Sequence, residues 1–223
     1  MNLFQLLCFS WGFKTHCIIG KLVMRMTRTN LDLCKLSVLP DILKFTKNYT
    51  WTRTLHYTDT KDSQPSECVV RNTKGLIDSI KGGVVFENKT IELAMKIHFI
   101  QDAHQPLHLS SFKRAGNDYF VNWNNRKVSL HRIWDIEIIN KRLQDFHSET
   151  QFIDYLETKN PKLFTFESIN KLNCLYVLRI PGQYSDLSLG YYNNTILLVE
   201  DLLVSAALQV KKALVNFYFQ KSR

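Results

Sequence analysis

A single all-α domain is what this sequence predicts, and three observations predict it. Glycine and proline are scarce, 8 and 5 among 223 residues, so few positions break a regular backbone. Several stretches repeat apolar residues at intervals of three and four, the period of one face of an α-helix. The chain shows no internal repeat and no linker, and its length is enough to bury one sizeable core.

In chain order, the first ten residues, MNLFQLLCFS, are apolar and place Cys8 and Ser10 at the small positions of a secretory cleavage site. They lack a basic start, yet they mark 1–10 as a possible signal peptide and leave 11–223 as the domain. Apolar spacing predicts helices over 87–105, 129–146, 166–178 and 195–219. Pro106 closes the first of them, having no N–H to continue the ladder. Between the first two, 119–123 and 126–130 alternate on either side of Asn124-Asn125, which predicts a small β-hairpin inside the domain. The apolar run 196–210 is broken by Glu200 and Asp201, so no stretch reaches the roughly 18 to 20 residues that a membrane span needs.

With 45% hydrophobic and 22% charged residues, the composition excludes long disorder, fibrous repeats and coiled coils. Lys and Arg number 29 against 20 for Asp and Glu, a formal charge of +9, which favours polyanionic partners. The five cysteines, Cys8, Cys17, Cys34, Cys68 and Cys174, form no CxxC pair, so thiolate zinc sites are not indicated. Asn48, Asn88 and Asn193 open three glycosylation sequons, compatible with secretion.

Chemistry concentrates in the histidines. In IELAMKIHFIQDAHQ, His98 and Asp102 stand four apart and so share one helix face, and His131 and Asp135 repeat the arrangement in SLHRIWDIEI. Imidazole and carboxylate together suit zinc, and their apolar neighbours make burial costly unless a metal offsets it. His108, beyond the Pro106 break, can turn back toward the same region. His104 lies off the His98 stripe and is disfavoured as a ligand. His16, Asp41 and His56 supply further isolated donors upstream.

Taken in order, WGFKTH, LPDILK, LHYTD, HFIQDAHQPLH, AGN and SLHRIWD, followed by ESINKLNC and YYNNTILLVEDLL, resemble the trinuclear-zinc single-strand nuclease and 3′-nucleotidase family. This is the nuclease S-one/P-one family, of which bacterial zinc phospholipase C is a distant relative. The resemblance runs from Trp11 over nearly the whole chain. It implies a first zinc held by Asp41, His56, His98 and Asp102, and a second by His108, His131 and Asp135. A third would lie between His16, Asp102 and the amino group and carbonyl of a mature N-terminal Trp11. Hydrolysis at phosphorus would then need no side-chain nucleophile, with Asp41 and Lys44 beside the scissile phosphate and Lys44 stabilising charge. Tyr57 would stack on an unpaired base and Asp59 accept from its edge, with Asn117 and Arg114 as further nucleotide contacts. Cys68 and Cys174 match a family disulfide, leaving Cys17 and Cys34 unassigned.

Three substitutions depart from the family pattern without removing a ligand: Thr15 before His16, Leu39-Pro40 before Asp41, and Ala115 in AGN. The implied protein is a secreted or lumenal monomer, without a membrane span. It would cleave single-stranded DNA and RNA to 5′-nucleotides and remove phosphate from 3′-nucleotides. Two other readings remain open on sequence: a phospholipase-C-like enzyme, and a nucleic-acid-binding protein that keeps the fold without turnover.

Overall fold

The computed structural model describes residues 11–56, 76–81, 84, 86–110, 112–160, 163–172, 180 and 182–219. Helices dominate, as the spacing predicts. Helix α1 (Phe13–Thr27) and α2 (Leu33–Leu43) lead to a 3-10 helix at Thr50–Leu55, then α3 (Leu76–Ile80) and α4 (Lys89–Asp102). A second 3-10 helix, Pro106–Leu109, precedes β1 (Phe120–Trp123) and β2 (Arg126–Ser129). Then come α5 (Leu130–Arg132), a π-helical turn at Ile133–Glu137, α6 (Ile138–Leu143), α7 (Glu149–Thr158), α8 (Phe166–Leu172) and the long α9 (Gly190–Phe219).

Local chemistry fixes most of these ends. Asp32, Asn88, Ser129 and Ser148 each accept a backbone N–H in the first turn that follows, at α2, α4, α5 and α7. The hairpin pairs Phe120 with Ser129 and Trp123 with Arg126. Asn124 and Asn125 turn it at φ 49° and 61°, the positive pair that matches strand twist.

The core forms where α9 lies against α1 and α4, and α2 bridges those two. Val199, Leu202, Leu203, Ala206, Ala207 and Val210 of α9 are buried there with Leu93, Ile97 and Ile100 of α4. Helices α1 and α2 cross closely. A Cβ on Gly20 would come within 2.5 Å of the Leu33 carbonyl oxygen, so this position needs the missing side chain. A Cys17–Cys34 disulfide joins the same two helices. The expected Cys68–Cys174 pair lies outside the described residues.

Two elements depart from the expected bounds. Helix α9 begins at Gly190 rather than 195, because Tyr192 already turns a buried ring inward. The expected continuous helix over 129–146 is interrupted by the π turn, where Ile138 N–H donates to the Ile133 carbonyl. Tertiary bonding explains the break. The Asp135 carbonyl accepts from Gly12 N–H at 3.0 Å and from the Thr15 hydroxyl at 3.3 Å, groups at the start of α1.

A candidate metal centre

Eight donor residues from seven short segments meet in the interior. Helix α1 supplies His16, α2 Asp41, α4 both His98 and Asp102, the Pro106–Leu109 turn His108, α5 His131 and the π turn Asp135. His56 follows directly on the first 3-10 helix. All eight are buried, and three adjoining groups converge closely enough to hold metal ions. These are His16, His98 and Asp102; Asp41, His56 and His98; and His108, His131 and Asp135. His98 belongs to two of them, and Asp102 Oδ1 lies 3.8 Å from His108 Nδ1, so the groups adjoin.

Four of these imidazoles are held in one orientation by their outer nitrogens. Nδ1 of His98 donates to the Ser37 carbonyl at 2.6 Å, that of His108 to the His56 carbonyl at 2.8 Å, and that of His131 to the Ala115 carbonyl at 2.7 Å. His16 Nδ1 donates to the side-chain oxygen of Gln101 at 2.6 Å. Because those oxygens only accept, each Nδ1 carries the hydrogen and each Nε2 offers its lone pair inward, the arrangement that prepares a histidine ligand.

The inward atoms stand at ligand spacing. Tetrahedral zinc with bonds of about 2.0 to 2.2 Å separates neighbouring ligand atoms by roughly 3.3 to 3.6 Å. His16 Nε2 is 3.3 Å from Asp102 Oδ1, and His98 Nε2 is 3.1 Å from Asp102 Oδ2. His56 Nδ1 lies 3.1 Å from Asp102 Oδ2 and 3.8 Å from Asp41 Oδ1. In the third group, His131 Nε2 is 3.0 Å from Asp135 Oδ2, and His108 Nε2 is 3.9 Å from Asp135 Oδ1. Asp102 Oδ1 and His56 Nε2 are buried yet make no hydrogen bond within the protein. Leaving such an atom unsatisfied costs about 1 to 3 kcal/mol, so this donor set fits a resident cation better than a purely structural role.

Electrostatics agree. Burial pushes Asp102 up, but the His98 charge, with the His56 and His98 rings at hydrogen-bond distance from Oδ2, outweighs it and holds the carboxyl well below its usual range. Burial likewise raises Asp41, and the nearby charges of His98 and Lys44 overcome that. Burial pushes His56 and His108 down to about 4, leaving them neutral and ready to ligate. Burial also lowers His98 and His131, but facing aspartates raise both above the ordinary value, so a proton there occupies the place a metal would take.

The π turn ties this centre to α1. A Cβ on Gly12 would meet Ile136 at 2.9 Å and the Asp135 carbonyl at 3.2 Å, so the chain approaches Asp135 only as glycine. Thr15 is buried against the same carbonyl, which gives that residue a role of its own. Trp11 is fully buried, its indole donating to the Gln101 carbonyl at 2.8 Å.

Lys44, buried, bonds Asp41 Oδ1 at 2.5 Å. Arg53 donates Nε to the Lys44 carbonyl at 2.9 Å and stacks over the exposed Phe45 ring at 5.0 Å. Asn117 lies in the turn whose Gly116 carbonyl receives His131 N–H, whereas Arg114 pairs with Asp118 on the exposed side of that turn. Lys113, Arg114 and Ala115 all have positive φ, and Ala115 at 56° aims its carbonyl at His131. His104 points away, as expected, bonding the Ile100 carbonyl and Ser205. Tyr57 and Asp59 lie outside the described residues. Sequence reasoning passed over Gln101, Gln105 and Ser37, because amides and hydroxyls carry no metal signature. Yet Gln105 Nε2 holds Asp135 Oδ1 at 2.8 Å, and Gln101 and Ser37 position two of the histidines.

A buried cluster of histidines and aspartates, carried on helices and turns, defines a helical protein with adjoining candidate metal sites. Comparison with known families then narrows the class. The family described as S1/P1 nuclease matches residues 17–218, and the chain belongs to that family. Endonuclease 4 of Arabidopsis thaliana is 26% identical over 86% of this chain and 79% of its own length. Endonuclease 2 of the same plant is 30% identical over 62% and 59%, and nuclease S1 of Aspergillus oryzae 23% over 58% and 54%. The family is metal-dependent, in accord with the convergent groups, and the relationship supports a nuclease function for this chain.

Proposed function

We propose that this protein is a zinc-dependent phosphodiesterase that cleaves single-stranded DNA and RNA to 5′-nucleotides and also acts as a 3′-nucleotidase. The observation that carries the reading is the set of three adjoining, buried donor groups in a chain of the S1/P1 nuclease family. Zinc bound there would polarise phosphoryl oxygens and lower the pKa of water, supplying nucleophile and charge stabilisation together.

The chain's own residues do the rest. Asp41, His56, His98 and Asp102 would hold one zinc, His108, His131 and Asp135 a second, and His16 with Asp102 a third, completed by the amino group of a mature chain starting at Trp11. Lys44, at the edge of the cluster, would neutralise charge on the phosphate while keeping Asp41 ionised. Tyr57 and Asp59 would receive an unpaired base, with Asn117 and Arg114 nearby. Phe45, Trp51 and Arg53 add exposed rings and a cation next to Lys44, a surface suited to a splayed single strand.

Residues 1–10 would be removed on secretion into an oxidising compartment, where Cys17–Cys34 is stable and Cys68 and Cys174 could pair. The product, 11–223, would act as a monomer, and the exposed Asn48, Asn88 and Asn193 would be its glycan sites.

The test combines metal analysis with cleavage assays. A chain starting at Trp11 is expected to hold close to three zincs, to degrade single strands much faster than duplex, and to stop when a chelator is added. Metal-free protein, or loaded protein without phosphodiesterase activity, would leave the nucleic-acid-binding alternative standing. A chain shown to retain Met1 is expected to bind the third zinc poorly, because a peptide-bonded nitrogen at Trp11 cannot ligate as an amine does.

A further inference from the structure

The structure assigns Gln101 as the positioning residue that holds His16 in its ligating tautomer and couples it to His98. Of the histidines with fixed orientation, His98, His108 and His131 rest on backbone carbonyls, which no substitution at the accepting residue removes. His16 rests on a side chain: its Nδ1 meets Gln101 Oε1 at 2.6 Å, and both residues are fully buried. The other end of the amide is also engaged, since Gln101 Nε2 donates to Ser37 Oγ at 2.8 Å. Ser37 in turn offers its carbonyl to His98 Nδ1 at 2.6 Å. One connected path therefore runs from His16 on α1 through Gln101 on α4 and Ser37 on α2 back to His98 on α4.

The chemistry of the amide makes the coupling directional. With oxygen toward His16, Nδ1 is the donor and the Nε2 lone pair faces Asp102 Oδ1 at 3.3 Å. With the amide reversed, an N–H would face Nδ1, the hydrogen would move to Nε2, and His16 could no longer ligate. An apolar side chain at 101 removes the acceptor and frees the ring to take either tautomer. The ion that His16 shares with Asp102 should suffer, while the His108, His131 and Asp135 group, whose outer bonds go elsewhere, should not.

This inference rests on the metal-centre reading, and the experiment separates the two. Zinc per chain is measured against a graded series of chelator for the wild type, Gln101→Leu, Gln101→Glu and Ser37→Ala, with circular dichroism and thermal unfolding of each. Gln101→Leu is expected to keep its helical spectrum and to lose one zinc at about 10- to 100-fold weaker affinity, the usual effect of removing a partner behind a ligand. Gln101→Glu keeps an acceptor oxygen opposite His16 and should retain the full wild-type content. Ser37→Ala keeps the carbonyl to His98 but releases the amide, and should weaken the same single zinc by less than 10-fold. Should Gln101→Leu fail to fold, Gln101→Glu and Ser37→Ala still decide. Wild-type affinity in Gln101→Leu, equal loss in Gln101→Glu, or unchanged affinity in Ser37→Ala would overturn the assignment. A wild type without zinc would instead overturn the metal-centre reading itself.

Discussion

Two buried carboxylates in this molecule, Glu200 and Asp102, have the same exposure and opposite chemistry. Glu200 on α9 is fully buried, with Arg142 Nε at 2.6 Å, Lys159 Nζ at 2.7 Å and the Tyr155 hydroxyl at 2.9 Å. Its partners are permanent cations and a hydroxyl from α6, α7 and the residue after α7, so the charge is neutralised within the chain. Asp102 on α4 is buried as deeply, but its neighbours are the imidazoles of His16, His56 and His98, and its Oδ1 makes no hydrogen bond. A polar cluster completed by the protein's own charges is a clamp. A cluster that protein atoms leave incomplete is a receptor for a cation.

The sharpest way to break this comparison is to neutralise each carboxylate. Asp102→Asn is expected to lower kcat by 10³-fold or more, because metals contribute several kcal/mol of transition-state stabilisation, while the helical spectrum persists. Glu200→Gln is expected to do the reverse, costing about 3 kcal/mol of stability with little change in activity per folded molecule. Denaturant titration beside steady-state kinetics measures both, and equal kinetic defects would erase the distinction.

Acid should separate the regions next. Burial pushes His104 down to about 4, from an ordinary value of 6.5. Between those values the unfolded chain binds the proton and the folded chain does not. The stability this histidine leaves intact above pH 6.5 is therefore lost as pH falls toward 4, by about 3 kcal/mol when complete. Unfolding of chelated protein across that range reads this effect together with those of His56 and His108, and His104→Leu should remove the His104 share of it.

Chelation alone, at constant pH, should lower stability by about 2.7 kcal/mol for each bound ion that was present at 100 times its dissociation constant. Thermal unfolding with and without zinc measures the drop, and Glu200→Gln should show the same difference, because its clamp does not involve the ions. A smaller effect is expected on the rim. Arg53→Ala should raise KM for long single strands several-fold and reduce the salt slope by about 1, while sparing a small activated phosphodiester. Smallest is Ala115→Gly. The left-handed conformation of Ala115 costs about 1 to 2 kcal/mol, part of which glycine returns as chain entropy, so a gain of about 0.5 kcal/mol is expected by denaturant unfolding.

What the sequence determined by itself was whatever local period encodes. Apolar residues three and four apart gave the helices. His98 with Asp102, and His131 with Asp135, showed as ligand pairs because four residues return a helix to one face. Asn124-Asn125 announced the hairpin, since paired positive φ favours that dipeptide. His16, Asp41 and His56 were legible only through the family resemblance, because donors on separate segments share no local spacing.

The tertiary structure decided the rest. The pairing of Cys17 with Cys34 follows from the close crossing of α1 and α2 at Gly20. The π turn at 133–137 exists because Gly12 and Thr15 claim the Asp135 carbonyl from across the molecule. Gln101 and Ser37 acquire meaning only when α1, α2 and α4 pack, since an amide or hydroxyl has no directional role until folding fixes what it faces.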